Sequence, residues 1–155
     1  MSAQQRAIAL LARREHSQKE LRQKLLQRGH STEEIDAALQ RLAETGLQCE
    51  ERYAQSLART RVGAGHGPRR IRNDLRQQGF GEEGIEAAMS ASSQDWPSLA
   101  VEALQRRFGQ ASGSQDAMDR NSVMKLRSRQ LAFLLRRGFD AETARIAQSR
   151  WERGD

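Results

Sequence analysis

The chain has 155 residues, of which 37% are hydrophobic, 5% aromatic and 30% charged, and its formal net charge is +6. That is thin for one large core and suits several small helical cores in a row; the lone cysteine, Cys49, excludes a disulfide framework, and no stretch approaches transmembrane length. The basic balance favours a nucleic acid, a membrane surface or an acidic protein as partner, and because only Lys19, Lys24 and Lys125 of the 26 cations are lysines, the charge is carried by planar guanidinium forks suited to phosphate and carboxylate.

One phrase recurs along the chain. It reads Leu25-Leu26-Gln27-Arg28-Gly29-His30, then Leu75-Arg76-Gln77-Gln78-Gly79-Phe80, then Leu134-Leu135-Arg136-Arg137-Gly138-Phe139. Downstream, Ile35, Ile85 and Ala144 stand six residues past each glycine, and Ala38, Ala88 and Ala147 stand nine past. A helix closed by glycine and followed by a second short helix accounts for the pattern. Self-similarity at a period of about 50 residues marks a repeat architecture.

In the first repeat, residues 1–48, Ala7, Ile8, Leu10, Leu11 and Ala12 are read as one apolar helical stripe. Ser17–Glu20 and Ser31–Glu34 read as capping boxes, in which serine accepts from a backbone N–H and glutamate returns the bond. Leu21 and Leu25 share a face at i,i+4; Ile35, Ala38, Leu39 and Leu42 supply the third stripe, and Gly46 stops it.

In the second repeat, residues 49–93, Tyr53, Leu57 and Val62 begin the core. Gly63-Ala64-Gly65-His66-Gly67 is flexible by composition, and Pro68 suits the first position of the next helix. Ile71 and Leu75 repeat the leucine pair, and Ile85, Ala88 and Met89 carry the third helix, which Gly84 weakens.

In the third repeat, residues 94–155, Asp95 caps a helix bearing Leu99, Val101, Ala103, Leu104 and Phe108, and a polar, glycine-bearing insertion at about 109–118 is expected to be mobile. The position matching Leu21 and Ile71 is Gln130, with Leu131 beside it, so the stripe is expected to rotate by one residue. Asp140 caps the last helix, Trp151 covers the end of the core, and the tail 152–155 is expected to fray. The fold class is therefore all-α: three tandem three-helix, helix-turn-helix-like repeats.

No catalytic constellation is present. His16, His30 and His66 are scattered, lack metal-ligand spacing with Cys49, and read as surface or half-buried side chains. The glycine loop at 63–67 lacks the lysine-serine/threonine ending and the preceding strand of a phosphate loop. Neither an enzyme activity, a metal nor a cofactor is expected.

Two basic runs remain. Arg59, Arg61, Arg69, Arg70, Arg72 and Arg76 stand in a stretch whose one acid is Asp74; Arg120, Lys125, Arg127, Arg129, Arg136 and Arg137 stand in a stretch with none. Arg69, Arg72 and Arg76 fall at i, i+3 and i+7 and line one helix face. Such faces meet phosphates or carboxylate-rich protein surfaces. Aromatics are scarce and sit at core positions, which argues against base stacking.

The chain resembles the RecX family, regulators of the recombinase RecA. The resemblance rests on Ser17-Gln18-Lys19-Glu20-Leu21-Arg22-Gln23-Lys24-Leu25, on Arg52-Tyr53-Ala54, on the run from Gly67-Pro68-Arg69-Arg70-Ile71 through Asp74-Leu75-Arg76-Gln77-Gln78-Gly79-Phe80, and on Leu134-Leu135-Arg136-Arg137-Gly138-Phe139. It spans residues 7 to about 150. Gln48-Cys49 stand where the family usually has an aliphatic residue and an acid.

The resemblance implies that the three repeats form an elongated, curved array in the groove of the RecA filament on DNA. It also implies inhibition of RecA's ATP hydrolysis, strand exchange and coprotease activity, and hence control of recombination and the SOS response. The cations expected to meet RecA or DNA are Arg52 and, from the two runs, Arg59, Arg61, Arg69, Arg70, Arg72, Arg76, Lys125, Arg127, Arg129, Arg136 and Arg137.

A RecA filament is the expected partner, with single- or double-stranded DNA reached through the basic faces and no membrane. Nothing resembles a signal peptide, because Arg13, Arg14 and Glu15 interrupt the N-terminal apolar run, so a cytoplasmic monomer is expected. The alternative is a helix-turn-helix protein acting on DNA directly. Against it, the third helices of the first two repeats begin with acids.

Overall fold

A computed structural model describes residues 1–110 and 119–155. Most of the insertion expected at 109–118 lies outside the described residues. The described residues form nine helices: α1 (Ala3–Arg13), α2 (Gln18–Gln27), α3 (Thr32–Glu44), α4 (Glu50–Gly63), α5 (Pro68–Gln77), α6 (Glu82–Ala91), α7 (Trp96–Phe108), α8 (Arg120–Arg136) and α9 (Ala141–Arg153). The class is all-α, a tandem three-helix repeat fold. The chain divides into one compact unit of residues 1–58 and 74–92 and a second of residues 59–73 and 93–155, so α4 and α5 each contribute to both.

The thrice-copied phrase is one hydrogen-bonded device. After α2, α5 and α8 the amide of the ring residue reaches back to the leucine five positions earlier: His30 to Leu25 at 3.2 Å, Phe80 to Leu75 at 3.1 Å, Phe139 to Leu134 at 3.1 Å. The glycine in between has φ of +85°, +90° and +100° in turn. These are Schellman closures, which use left-handed glycine to satisfy the orphan carbonyls of a helix end.

Side-chain caps set the helix starts. Ser17 and Glu20 form the full reciprocal box at 3.0 and 3.1 Å, and Ser2 and Gln5, at the same spacing, form another. At α3 only half a box forms. Ser31 accepts from the Glu34 amide at 3.1 Å, but the Glu34 carboxylate takes His30 Nδ1 at 3.1 Å instead of the backbone. Asp95, Asp119 and Asp140 cap α7, α8 and α9.

In the first unit, Ala3, Ala7, Leu21, Leu25, Ile35, Ala38, Leu39 and Leu42 form a buried cluster with Leu10 and Leu11 against it. Ile8 is 40% exposed and Ala12 also faces outward, so the α1 stripe is Ala3, Ala7, Leu10 and Leu11 rather than the contiguous set expected from the sequence. His16 is buried, contrary to the expectation of a surface or half-buried ring. Its Nδ1 lies 3.0 Å from the Arg14 carbonyl, which compensates for the burial. Gln48, at the position that departs from the family pattern, is buried too. Its amide donates to the His16 carbonyl at 3.2 Å and to Glu50 at 2.9 Å.

In the second unit α7 packs chiefly on α9, with α8 against both. Ala100, Val101, Ala103, Leu104, Phe133, Leu134, Phe139, Ala144, Ala147 and Trp151 make its core. The chain end does not fray through Arg153. Glu152 makes a two-pronged pair with Arg127 at 2.6 and 3.0 Å, and Gly154 closes α9 at φ +79°. Trp151 Nε1 donates to the Gly109 carbonyl at 2.7 Å, so the ring both fills the core and ties down the end of α7.

The stripe of α8 is not rotated. Gln130 itself occupies the core position that Leu21 and Ile71 hold in the earlier copies, with 0% exposure, and Leu131 is half-buried beside it. Keeping Leu134 in the core fixes the helix phase, since residues four apart share a face. Both the amide oxygen and nitrogen of Gln130 are buried without a partner among the described residues. An unmatched buried polar group costs about 1–3 kcal/mol. Gln130→Leu is therefore expected to raise the free energy of unfolding by roughly that amount, read from a higher urea midpoint at unchanged slope.

Candidate functional site

The glycine loop between α4 and α5, expected to be flexible, is pinned within the second unit. Gly67 N–H donates to the Arg137 carbonyl at 2.7 Å, and Arg69 N–H donates to the Gly138 carbonyl at 2.9 Å. Two backbones meet there at a distance that no side chain would permit. A Cβ on Gly67 would stand 2.6 Å from the Gly138 carbonyl carbon, and one on Gly138 would stand 2.7 Å from Arg70 Cβ. Glycine here serves close approach rather than freedom.

This crossing brings the two basic runs together. Arg61 and Arg70 from the first run and Arg137 from the second all act on His66. Burial, and then the Arg70, Arg137 and Arg61 charges, push the His66 imidazole below its ordinary value of 6.5, against a hydrogen bond to the Arg137 backbone that favours the charged form. His66 Nδ1 is buried without a partner. The ring therefore stays neutral at physiological pH and adds no charge to the cluster.

A depression of about 170 Å³ opens beside the loop, lined by Ala64, Gly65, Ala103, Phe133, Arg106, Arg107 and Arg137. The guanidinium of Arg137 stacks 5.3 Å above the Phe133 ring and donates to the Ala64 carbonyl at 3.3 Å. That of Arg107 lies 5.2 Å above Phe108, and Arg106 makes only a 4.0 Å pair with Glu102. Stacking holds the forks in place without neutralising them. No acid lines the depression. It offers fixed, charge-assisted donors to a phosphate or a carboxylate.

The remaining candidates are dispersed. Arg52 is committed to Glu15 at 3.0 Å and to the Gly46 and Leu47 carbonyls at 2.8 and 3.2 Å, where it ties the α3–α4 link to the end of α1. Arg76 pairs with Glu82 at 3.0 Å, and Arg127 with Glu152. Arg59, Arg69 and Arg136 are exposed, and Arg72 is half-buried. Lys125 and Arg129 line an open hollow along α8 with Asn121, Ser122, Met124 and Ser128. Arg106 and Arg107 were missed by sequence reasoning. They follow the apolar stripe of α7 and read as an ordinary basic last turn.

The histidine shift has a consequence for stability. A folded pKa below 6.5 means that the unfolded chain binds more protons as pH falls through that value, so stability is full above it and declines on acidification. His16, lowered chiefly by burial, acts in the same window. Replacing His66 by glutamine is expected to flatten the fall of the urea midpoint between about pH 7 and 5.5. The capping carboxylates Asp95, Asp119 and Asp140, held low by hydrogen bonds from Ser98, Ser122 and Thr143, contribute only at more acid pH.

The family model for the first three-helix domain of RecX matches residues 3–42, and that for the second matches residues 50–89. Regulatory protein RecX of Stenotrophomonas maltophilia (strain R551-3) is 42% identical over 143 residues, covering 92% of this chain and 83% of that one. Its counterpart in Xanthomonas campestris pv. campestris (strain B100) is 41% identical over the same shares. Among solved structures, a crystal structure of regulatory protein RecX aligns with a TM-score of 0.75 at 22% identity, over 95% of this chain and 71% of its own. That of RecX from Lactobacillus salivarius aligns at 0.67 and 21%, over 95% and 93%. These two bear on the fold, while the family models and curated relatives settle membership: the chain belongs to the RecX family of regulatory proteins.

Proposed function

We propose that this protein binds the RecA filament assembled on DNA and lowers its ATP hydrolysis, strand exchange and coprotease activity, and so tunes recombination and the SOS response. It does so as a cytoplasmic monomer and without catalysis of its own. The observation that carries the reading is the acid-free depression of Arg106, Arg107 and Arg137, built where the pinned glycine loop draws the two basic runs together. Fixed guanidinium forks suit acidic side chains on a filament surface and the phosphates held within it. Arg59, Arg69, Lys125, Arg129 and Arg136 extend the positive surface, whereas Arg52, Arg76 and Arg127 serve mainly intramolecular pairs.

The test is RecA ATPase on single-stranded DNA, titrated with this protein. Inhibition that saturates supports the reading, and turnover unchanged at a large molar excess refutes it. The ratio at half-inhibition separates two modes: a value far below one protein per RecA indicates capping of filament ends, and a value near one indicates coating.

A further inference from the structure

A second cationic surface lies wholly within the first unit and shares no residue with the arginines above. α1 and α2 both pack on α3, and between them a groove of about 410 Å³ is left open. Arg6 and Arg13 stand on its α1 wall, Lys24 and Arg28 on its α2 wall, and no acid lines it. Among the described residues none of the four is in an ion pair. Their neighbours Arg14 and Arg22 are matched to Glu20 and Asp36 at 2.9 and 2.7 Å. Arg6 Nε is buried and has no acceptor. Lys24 Nζ is 3.5 Å from His16 Nε2, a ring kept neutral chiefly by its burial, so the contact leaves the ammonium charge uncompensated.

The floor decides what kind of anion this groove suits. It is aliphatic, formed by Ala9 and Leu10 over the fully buried Leu25, and carries no ring. A polynucleotide would satisfy the cations with phosphates but would find nothing to stack its bases on. An acidic peptide with a leucine-like anchor would satisfy the cations and bury the anchor as well. Arg6 and Arg13 are seven residues apart, about 10.5 Å along α1, which matches acids at i and i+7 on a helix laid alongside.

We propose that the α1–α2 groove is a docking site for an acidic, amphipathic helical segment of a partner protein. The anchor lies on Ala9 and Leu10, and the acids meet Arg6, Arg13, Lys24 and Arg28. The site is independent of the filament reading, because its test contains neither RecA nor DNA filament.

The probes are a fluorescein-labelled 14-residue Glu-rich helical peptide with leucines at i and i+4, the same peptide with both leucines as serine, and a 14-nucleotide oligothymidine. Each is titrated with the full chain by fluorescence anisotropy. The leucine peptide is expected to bind at least fivefold more tightly than the serine peptide. The Arg13→Glu/Arg28→Glu double variant should lose at least tenfold of that affinity. So should Ala9→Glu, which places a carboxylate on the exposed floor one turn from Arg13 and leaves the core untouched. Circular dichroism of each variant is expected to match the wild type, and the single Ala9→Glu change keeps the test decisive if the double variant misfolds. Equal binding of the two peptides, unchanged affinity in the Ala9→Glu chain, or loss of oligothymidine binding alone would overturn the proposal.

Discussion

Gly138→Ala is expected to cost roughly 3 kcal/mol or more of folding free energy, among the largest effects any single methyl group could have in this chain. Two penalties combine. The backbone at Gly138 has φ +100°, which an L side chain rarely adopts, worth about 1–2 kcal/mol. The new Cβ would also stand 2.7 Å from both Cβ and the amide nitrogen of Arg70, and overpacking against backbone costs about 1–3 kcal/mol.

Gly29→Ala is the matched control. It occupies the same place in the first copy of the phrase, at φ +85°, with nothing within 4 Å of the added atom. It should incur the conformational cost alone, so the difference between the two urea midpoints isolates the backbone crossing. Gly67→Ala should incur the clash alone, because its φ is not positive and its Cβ would press on the Gly138 carbonyl from the other side. If the loop moves to relieve the clash, the bonds from Gly67 to Arg137 and from Arg69 to Gly138 break, at about 0.5–1.5 kcal/mol each. Equal midpoints for the Gly29 and Gly138 variants would show that the loop is not held as described.

Removing Arg106, Arg107 and Arg137 together, each as alanine, is expected to raise the concentration for half-inhibition of RecA ATPase about a hundredfold. The figure takes roughly 1 kcal/mol for each guanidinium removed, below the usual range for hydrogen bonds to charged groups. Arg52→Ala and Arg127→Ala serve as controls, since those guanidinium groups already face Glu15 and Glu152. They should change inhibition by less than tenfold while lowering stability slightly. Arg137→Lys tests geometry apart from charge. Lysine keeps the positive charge but lacks the planar fork over Phe133, so inhibition should fall well short of wild type. A triple variant that folds and inhibits normally would remove this depression from the account.

The helices and their ends were legible because their causes are local. A serine, a glutamate three residues on, and a glycine before a ring each act within one or two turns, and the three closures are the same pair of backbone bonds. What failed to read was the ranking of competing contacts, or a contact made from far along the chain. Glu34 abandons its box because His30 competes for it, a choice between two partners that the motif alone does not rank. Gln130 sits in the core because Leu134 sets the phase of α8, and a polar side chain at an apolar position defeats any pattern based on hydrophobicity.

The loop at 63–67 shows the same limit. Glycine required for a close approach and glycine that confers mobility are identical in sequence, and only the facing backbone of Gly138, far along the chain, distinguishes them. For the same reason the two basic runs could be counted but not placed. That Arg70 and Arg137 converge on His66 follows from the crossing, and Arg106 and Arg107 join them only because α7 packs in the same unit.

The most direct test of docking is binding to RecA filaments preformed on labelled single-stranded DNA, compared with the same DNA naked, across a salt series. A filament surface that supplies the matching carboxylates should be bound at least tenfold more tightly than naked DNA at physiological salt, with a shallower dependence on salt than pure phosphate binding would give. Equal affinity for naked DNA and filament, with the same steep salt slope, would mean that the protein acts on the nucleic acid itself and would contradict the account.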